Sequence, residues 1–301
     1  MTGSLEALEV PEGLELAHAL LAHVARAAGV RLLIIKGALA ARQELRPPRT
    51  SYDVDVLVAP GDSAALIAAL RLRGWFLRVE HGAPIGVLPW HAKTAGSPDW
   101  PCDIDVHTHF PGFLAPAAEV FESLWPRRET HPFAHQDVPC IDRHAQALVL
   151  LLHAIRSRVP LAAGDGAAVT SAVTQWSDAD RAELLDLADR LGASWPLRDW
   201  YRAMGFPTPD EPGPSIQLEA WKLLVEDPPG SAWLLELRRT PWLKKPRRLW
   251  DAFWLTDDNL RGTYPGSSGS RRALARIRLR RAAVGLRQVP AAYRAARRNH
   301  T

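Results

Sequence analysis

"IIKGALAARQELRPPRTSYDVDVLVAP", residues 34–60, sets two aspartates, Asp53 and Asp55, into an otherwise apolar run, downstream of a Lys-Gly pair at Lys36 and Gly37. Side chains alternate faces along a strand, so "DVDVLVA" projects both carboxylates to one side and packs Val54, Val56 and Val58 on the other. Two carboxylates so close, in partly desolvated surroundings, repel each other. The usual relief is a shared proton, a bound cation or solvent at the strand end. Oxygen-only ligands suit a hard cation such as Mg²⁺. The structural alternative is a strand-end pair held by arginines such as Arg46 and Arg49.

Working outward, "VRLLIIK" reads as a buried strand that Gly37 breaks, and "ALAARQEL" returns to a helical pattern, which puts Lys36 at a strand-to-helix turn. Residues 5–28 give a helix stopped by Gly29, and "DSAALIAALRLRG" a helix with Asp62 or Ser63 as N-cap and Gly74 past its end. "WFLRVEH", "PIGVLPWHA" and "CDIDVHTHF" read as strands. From residue 143 onward the pattern is helical, as in "RHAQALVLLLHAIRSR" and "DADRAELLDLADRLG". The expected class is therefore α/β, or α+β: a small mixed sheet flanked by helices over residues 1–142, an α-helical domain over 143–262, and a linker with an arginine-rich tail over 263–301.

In "CDIDVHTHF", Asp103, Asp105, His107 and His109 share a face if the strand is regular, with Ile104 and Val106 opposite. One of its aspartates joins Asp53 and Asp55 as a third ligand if the two strands are neighbours. Two divalent cations about 3.5–4 Å apart form a clamp for displacement at phosphorus. Lys36, one of five lysines in an arginine-rich chain, then gains a role, because an ammonium beside a helix N-terminus holds phosphate. His107 and His109 can instead serve a zinc or hydrolase site, but the pair itself forms no HxxxH and no third soft ligand stands beside it at the expected spacing. His153, flanked by leucines, reads as a hydrogen-bonded core histidine.

The runs "LLIIKGALAA", "SYDVDVLV" and "DIDVHTHF" together resemble the nucleotidyltransferase superfamily with the DNA polymerase beta-like fold, most closely a bacterial branch in which a Lys-Gly pair opens the motif. The resemblance covers roughly the first 200 residues. It implies a minimal mixed sheet followed by a helical domain, with Asp53 and Asp55 binding two Mg²⁺ ions and Asp105 as the third carboxylate near the acceptor. His107 matches the histidine of the family's D-L-H strand. "KGA" stands where the wider superfamily has Gly-Ser or Gly-Gly against the β and γ phosphates.

Composition sets the bounds. Of 301 residues, 47% are hydrophobic and 23% charged, which excludes wholesale disorder. No signal peptide or long uncharged apolar run is evident, and Cys102 and Cys140 have no zinc-like spacing, so a reduced, cytoplasmic setting is expected. The net charge of +4 conceals ten arginines and no acidic residue in 271–301; the rest holds 27 Lys plus Arg against 33 Asp plus Glu, a balance of −6. No basic stripe for a long nucleic acid runs through the catalytic segment, whereas the tail suits an anionic partner or membrane surface. The twelve tryptophans, eight of them after residue 175, are expected to pack the helical core.

The expected activity is Mg²⁺-dependent transfer of NMP from an NTP to an unidentified small molecule, peptide or protein, with Asp53, Asp55 and Asp105 on the metals and Lys36 and Gly37 on the triphosphate. The rivals are a catalytically degenerate nucleotide- or protein-binding accessory module of the same fold and a metal-dependent phosphohydrolase.

Overall fold

Four apolar residues in a row, Leu32–Ile35, form the buried strand β1. In the computed structural model, which describes residues 8–78, 91–228, 231–253, 260 and 270–298, β1 pairs antiparallel with β2 (Asp53–Val58), Ile35 opposite Asp55. Its other edge pairs in parallel with β7 (Gln136–Cys140), and β7 forms a hairpin with β6 (Glu129–Phe133). β2 pairs in parallel with β5 (Asp103–His107), followed outward by the antiparallel β4 (Ala92–Gly96) and β3 (Phe76–Leu77). The result is one seven-stranded mixed sheet, ordered β3-β4-β5-β2-β1-β7-β6.

Val54, Val56, Val58, Ile104 and Val106 are all buried on the face away from the aspartates, each contributing roughly 1.5–3 kcal/mol of apolar burial. Helix α1 (Val10–Ala28) packs against β1, β2, β6 and β7, with α3 (Ser63–Arg71) beside it. Gly29 ends α1 at φ 65°, a left-handed turn favouring glycine. α2 (Leu39–Arg42) is a single turn and stops short of the expected "ALAARQEL" helix. α4 (Ala117–Leu124) precedes the β6–β7 hairpin.

After β7 the described elements are helices. α5 (Arg143–Arg156) starts three residues after β7, capped by the Asp142 carboxylate, which accepts the Ala145 N–H at 2.8 Å. α6 (Gly164–Thr174) and α7 (Asp178–Arg190) pack on α5, and α8 (Arg198–Met204) buries Trp200 and Tyr201. Neither α6 nor the β6–β7 hairpin is evident in the sequence. "GDGAAVTSAVT" carries two glycines and several β-branched residues, poor helix formers, and each hairpin strand contains a proline.

Among the described residues, those of Met1–Arg78 and His91–Gly213 form one compact unit, which takes in α5 to α8, and those of Pro214–Thr301 belong to a second. The second contains α9 (Ile216–Val225), α10 (Ser231–Arg239), α11 (Lys245–Phe253) and a C-terminal helix, Arg271–Arg298. α10 packs against the other three. Residues 263–269 of the expected linker and tail, and residues 79–90 of the expected strands "WFLRVEH" and "PIGVLPWHA", lie outside the described residues.

The tryptophan expectation holds in part. Trp195, Trp200 and Trp221 are buried, whereas Trp242 and Trp250 are exposed. They lie in a stretch dense in lysine and arginine, so no core closes over them. Cys102 and Cys140 are free and buried.

Candidate active site

The parallel register of β2 and β5 sets Asp53 opposite Asp103, Asp55 opposite Asp105 and Leu57 opposite His107. Alternation then gathers the four aspartates on one face. On the inner rung His107 Nε2 donates to Asp55 Oδ1 at 2.8 Å, and Thr94 Oγ1, opposite Asp105 on β4, donates to Asp105 Oδ1 at 2.6 Å. The Lys36 ammonium also reaches Asp55 Oδ1, at 2.5 Å. On the outer rung Asp53 Oδ1 accepts from Ser51 Oγ at 2.5 Å, and Asp103 pairs with Arg78 at 2.6 Å. Of the residues named from sequence, Asp55, Asp105 and Lys36 thus meet, and Asp53 stands one rung away. β5 ends at His107, and the ring of His109 beyond it meets that of His91 in a T-shaped contact, 6.1 Å between centroids.

Lys36 and Gly37 both adopt left-handed backbone, φ 56° and 49°. For Gly37 that angle alone calls for glycine, since a Cβ there would meet nothing within 4 Å. For Lys36 it costs about 1–2 kcal/mol. The turn is held from two sides. Gln146 on α5 accepts the Lys36 N–H at 2.9 Å and donates to the Lys36 carbonyl at 3.1 Å, while Arg46 donates to the Gly37 carbonyl at 2.7 Å. Arg46 and Arg49 pair with Asp165 rather than with Asp53 or Asp55. Non-glycine strain of this kind persists where surrounding structure enforces it, and it concentrates at functional sites.

A second cation lies nearby. Arg156, near the end of α5, places Nη1 2.7 Å from His91 Nε2, and its guanidinium lies 5.6 Å from the centre of the Phe110 ring. Lys36 Nζ is 5.9 Å from the same ring. Burial, then Arg156 and the neighbouring histidines, press His91 down to about 3, so it stays neutral and accepts the Arg156 proton. Burial followed by Lys36 and Arg156 lowers His153 to about 4, and burial with His107 lowers His109. Arg156 is itself lowered by burial, with Asp55 and Asp105 pulling the other way.

The two inner carboxylates diverge. Burial pushes Asp55 up, but the His107 hydrogen bond and the Lys36 charge outweigh it and hold Asp55 below the ordinary carboxylate range. Burial raises Asp105, the Thr94 hydrogen bond opposes, and the Asp55 charge adds to the rise. Ligand atoms of Asp55, Asp105 and His107 all lie within 4.8 Å of one another, a donor set able to hold a metal ion. Among the described residues, buried His107 Nδ1 has no hydrogen-bond partner. A second such group, His144, Asp180 and Glu183, has its carboxylates engaged by Arg143 and Arg127.

No protein-family profile matches the sequence, and no curated protein matches it. Solved structures to which the chain shows similarity include the following three. The antibiotic-resistance factor ANT(2'')-Ia is 17% identical over 66% of this chain and 97% of its own, with a TM-score of 0.37. The lincosamide antibiotic adenylyltransferase LnuA, lincomycin-bound, is 17% identical over 57% and 94%, with a TM-score of 0.31. An antigenic nucleotidyltransferase-like protein from Paracoccidioides brasiliensis is 15% identical over 64% and 92%, with a TM-score of 0.37.

Gln146, Arg156, His91 and Thr94 escaped the sequence reading. Only Gln146 left a trace there, as a polar residue inside the apolar run "HAQALVLLLHAI".

Proposed function

We propose that the first unit transfers a nucleoside monophosphate from an NTP to a hydroxyl or other nucleophile of a small molecule, peptide or protein and releases pyrophosphate. The observation that carries this reading is the in-register pairing of β2 with β5, which assembles Asp55, Asp105 and His107 beside Lys36 at a left-handed Lys-Gly turn.

The donor chemistry fits a divalent cation. Asp105 sits beside a second carboxylate in buried surroundings that penalise its charge, and a cation relieves that penalty. Asp55 and Asp105, joined by Asp53 from the outer rung, would hold Mg²⁺, which when bound neutralises triphosphate charge and polarises the phosphoryl oxygens. Lys36 exchanges its contact with Asp55 for a phosphate oxygen, and Arg156 offers a second cation to the same polyanion. Gln146 and Gly37 fix the backbone from which Lys36 reaches. The acceptor oxygen attacks the α-phosphorus, the bond to the β-phosphate oxygen breaks, and pyrophosphate leaves. Asp105, fixed through Oδ1 by Thr94, offers its other oxygen to the acceptor proton.

Calorimetric titration with ATP, GTP, CTP and UTP, each with and without Mg²⁺, tests this on wild type and on Asp53→Asn/Asp55→Asn. The expected result is Mg²⁺-dependent binding of at least one NTP that the double variant loses while its circular dichroism is unchanged. Binding that ignores Mg²⁺, or none, would favour an accessory module. NTP breakdown without any acceptor would favour a phosphohydrolase.

A further inference from the structure

The second unit carries a surface that this chemistry leaves unused. Residues 237–250 contain six Lys or Arg and no acidic residue. In the same stretch Trp242 and Leu243 are 76% and 72% exposed, and Leu249 and Trp250 are exposed behind them. The C-terminal helix repeats the combination. Leu279, Leu286 and Tyr293 recur every seven residues, all exposed, with Ala283 and Pro290 between them, so they form one apolar stripe along the helix. Arg276, Arg280, Arg287 and Arg294 run beside that stripe, while Leu274 and Ile277 supply the inward face.

α10, α11 and the C-terminal helix pack on one another, so both stretches belong to the same small bundle. A groove of about 230 Å³ there is lined by Leu234, Leu237, Leu249 and Tyr293 together with Arg238 and Lys245. Leu249 of the first stretch and Tyr293 of the helix stripe meet in this groove, and exposed apolar residues gathered in this way mark a docking face. The charge limits what can cover it, because an acid-free surface rich in Lys and Arg attracts an anion. Single-stranded RNA would satisfy the arginines and stack on tryptophan, yet leave Leu243, Leu279 and Leu286 in water. Tryptophan and aliphatic residues flanked by Lys and Arg match the boundary between headgroups and acyl chains.

We infer that the second unit docks on an anionic lipid surface through residues 241–250 and the outer stripe of the C-terminal helix. It lies in the plane of the interface, since no helix among the described residues is long and apolar enough to cross a membrane. The inference is independent of the reaction proposed above.

The test is flotation of the full chain with vesicles of phosphatidylcholine alone, or with about one third phosphatidylglycerol, at low and high salt. Binding only to the anionic vesicles, weakened by salt, is expected. Arg280→Gln/Arg287→Gln should lose about fivefold per charge, and Leu243→Glu roughly tenfold, as expected where buried apolar area contributes to binding, with NTP binding unchanged in both. Three results would overturn it: no binding to anionic vesicles; full binding by Leu243→Glu, with RNA displacing the vesicles, which makes the site a polyanion site; or lipid-independent self-association that Leu243→Glu disperses, which puts a second copy on the face.

Discussion

Asp53 and Asp103 face each other at the start of β2 and β5, and Asp55 and Asp105 face each other two residues further along the same ladder. The residue types are identical and the surroundings are not. Asp103 and its partner Arg78 have side chains 29% and 49% exposed, against 4% and 13% for Asp55 and Lys36. Two like charges 4 Å apart cost about 1 kcal/mol in water and about 4 kcal/mol at an effective dielectric of 20. Water and one arginine therefore suffice outside. Inside, a lysine, a histidine and a threonine converge on two carboxylates, one held below its ordinary range and the other raised. Depth in the sheet, more than the DxD spacing, separates a candidate metal site from a strand-end ion pair.

The heaviest way to break the inner rung is Asp55→Ala. It leaves Lys36 and His107 without their shared acceptor, so chemical denaturation should show a loss of about 3–5 kcal/mol, and pyrophosphate release should vanish. In the wild type, Asp55's contribution is present above the ordinary carboxyl pKa and lost as pH falls through its depressed folded value. An acid titration of stability should show that step, and the variant should lack it.

Asp105→Asn separates activity from stability. Transfer should fall below detection, yet the denaturation midpoint at pH 7 should hold or rise, because the raised folded pKa means that the ionised Asp105 destabilises the fold there. That advantage should shrink as pH falls through the raised folded pKa and be gone below the unfolded pKa, where the carboxyl is protonated in both states. A lower midpoint at pH 7 would show that the rung is balanced by its partners alone.

Gln146→Leu removes both hydrogen bonds to the Lys36 backbone and should cost about 1–3 kcal/mol. If the turn positions Lys36 for phosphate, the KM for the NTP should rise more than kcat falls. The smallest effect is expected outside: Asp103→Asn breaks a largely exposed pair and should change stability by about 1 kcal/mol or less, leaving turnover near wild type. An Asp103→Asn effect as large as that of Asp55→Ala would erase the distinction between the rungs.

The alternation in "DVDVLVA" and "CDIDVHTHF" and the Lys-Gly break after "LLII" were legible because strand faces and glycine turns are local properties of a few residues. The partners were not. Gln146 lies 110 positions from Lys36, and Arg156 lies 65 from His91. Nothing in their own neighbourhoods announces those contacts, which exist only once α5 has packed against the end of β1. The β6–β7 hairpin was hidden for a different reason: its prolines suggest loops, and only pairing beside β1 makes strands of those residues.

The sequence by itself determined that Asp53 and Asp55 share a face, that Lys36 stands at a turn and that positive charge gathers near the C-terminus, since each follows from spacing or composition. Tertiary structure alone decided that β2 and β5 lie side by side in register, that the inner rung is buried while the outer one meets water, and that Trp242 and Leu243 remain exposed. Register and burial are properties of the assembled sheet and bundle, and the strength of every charge interaction depends on them.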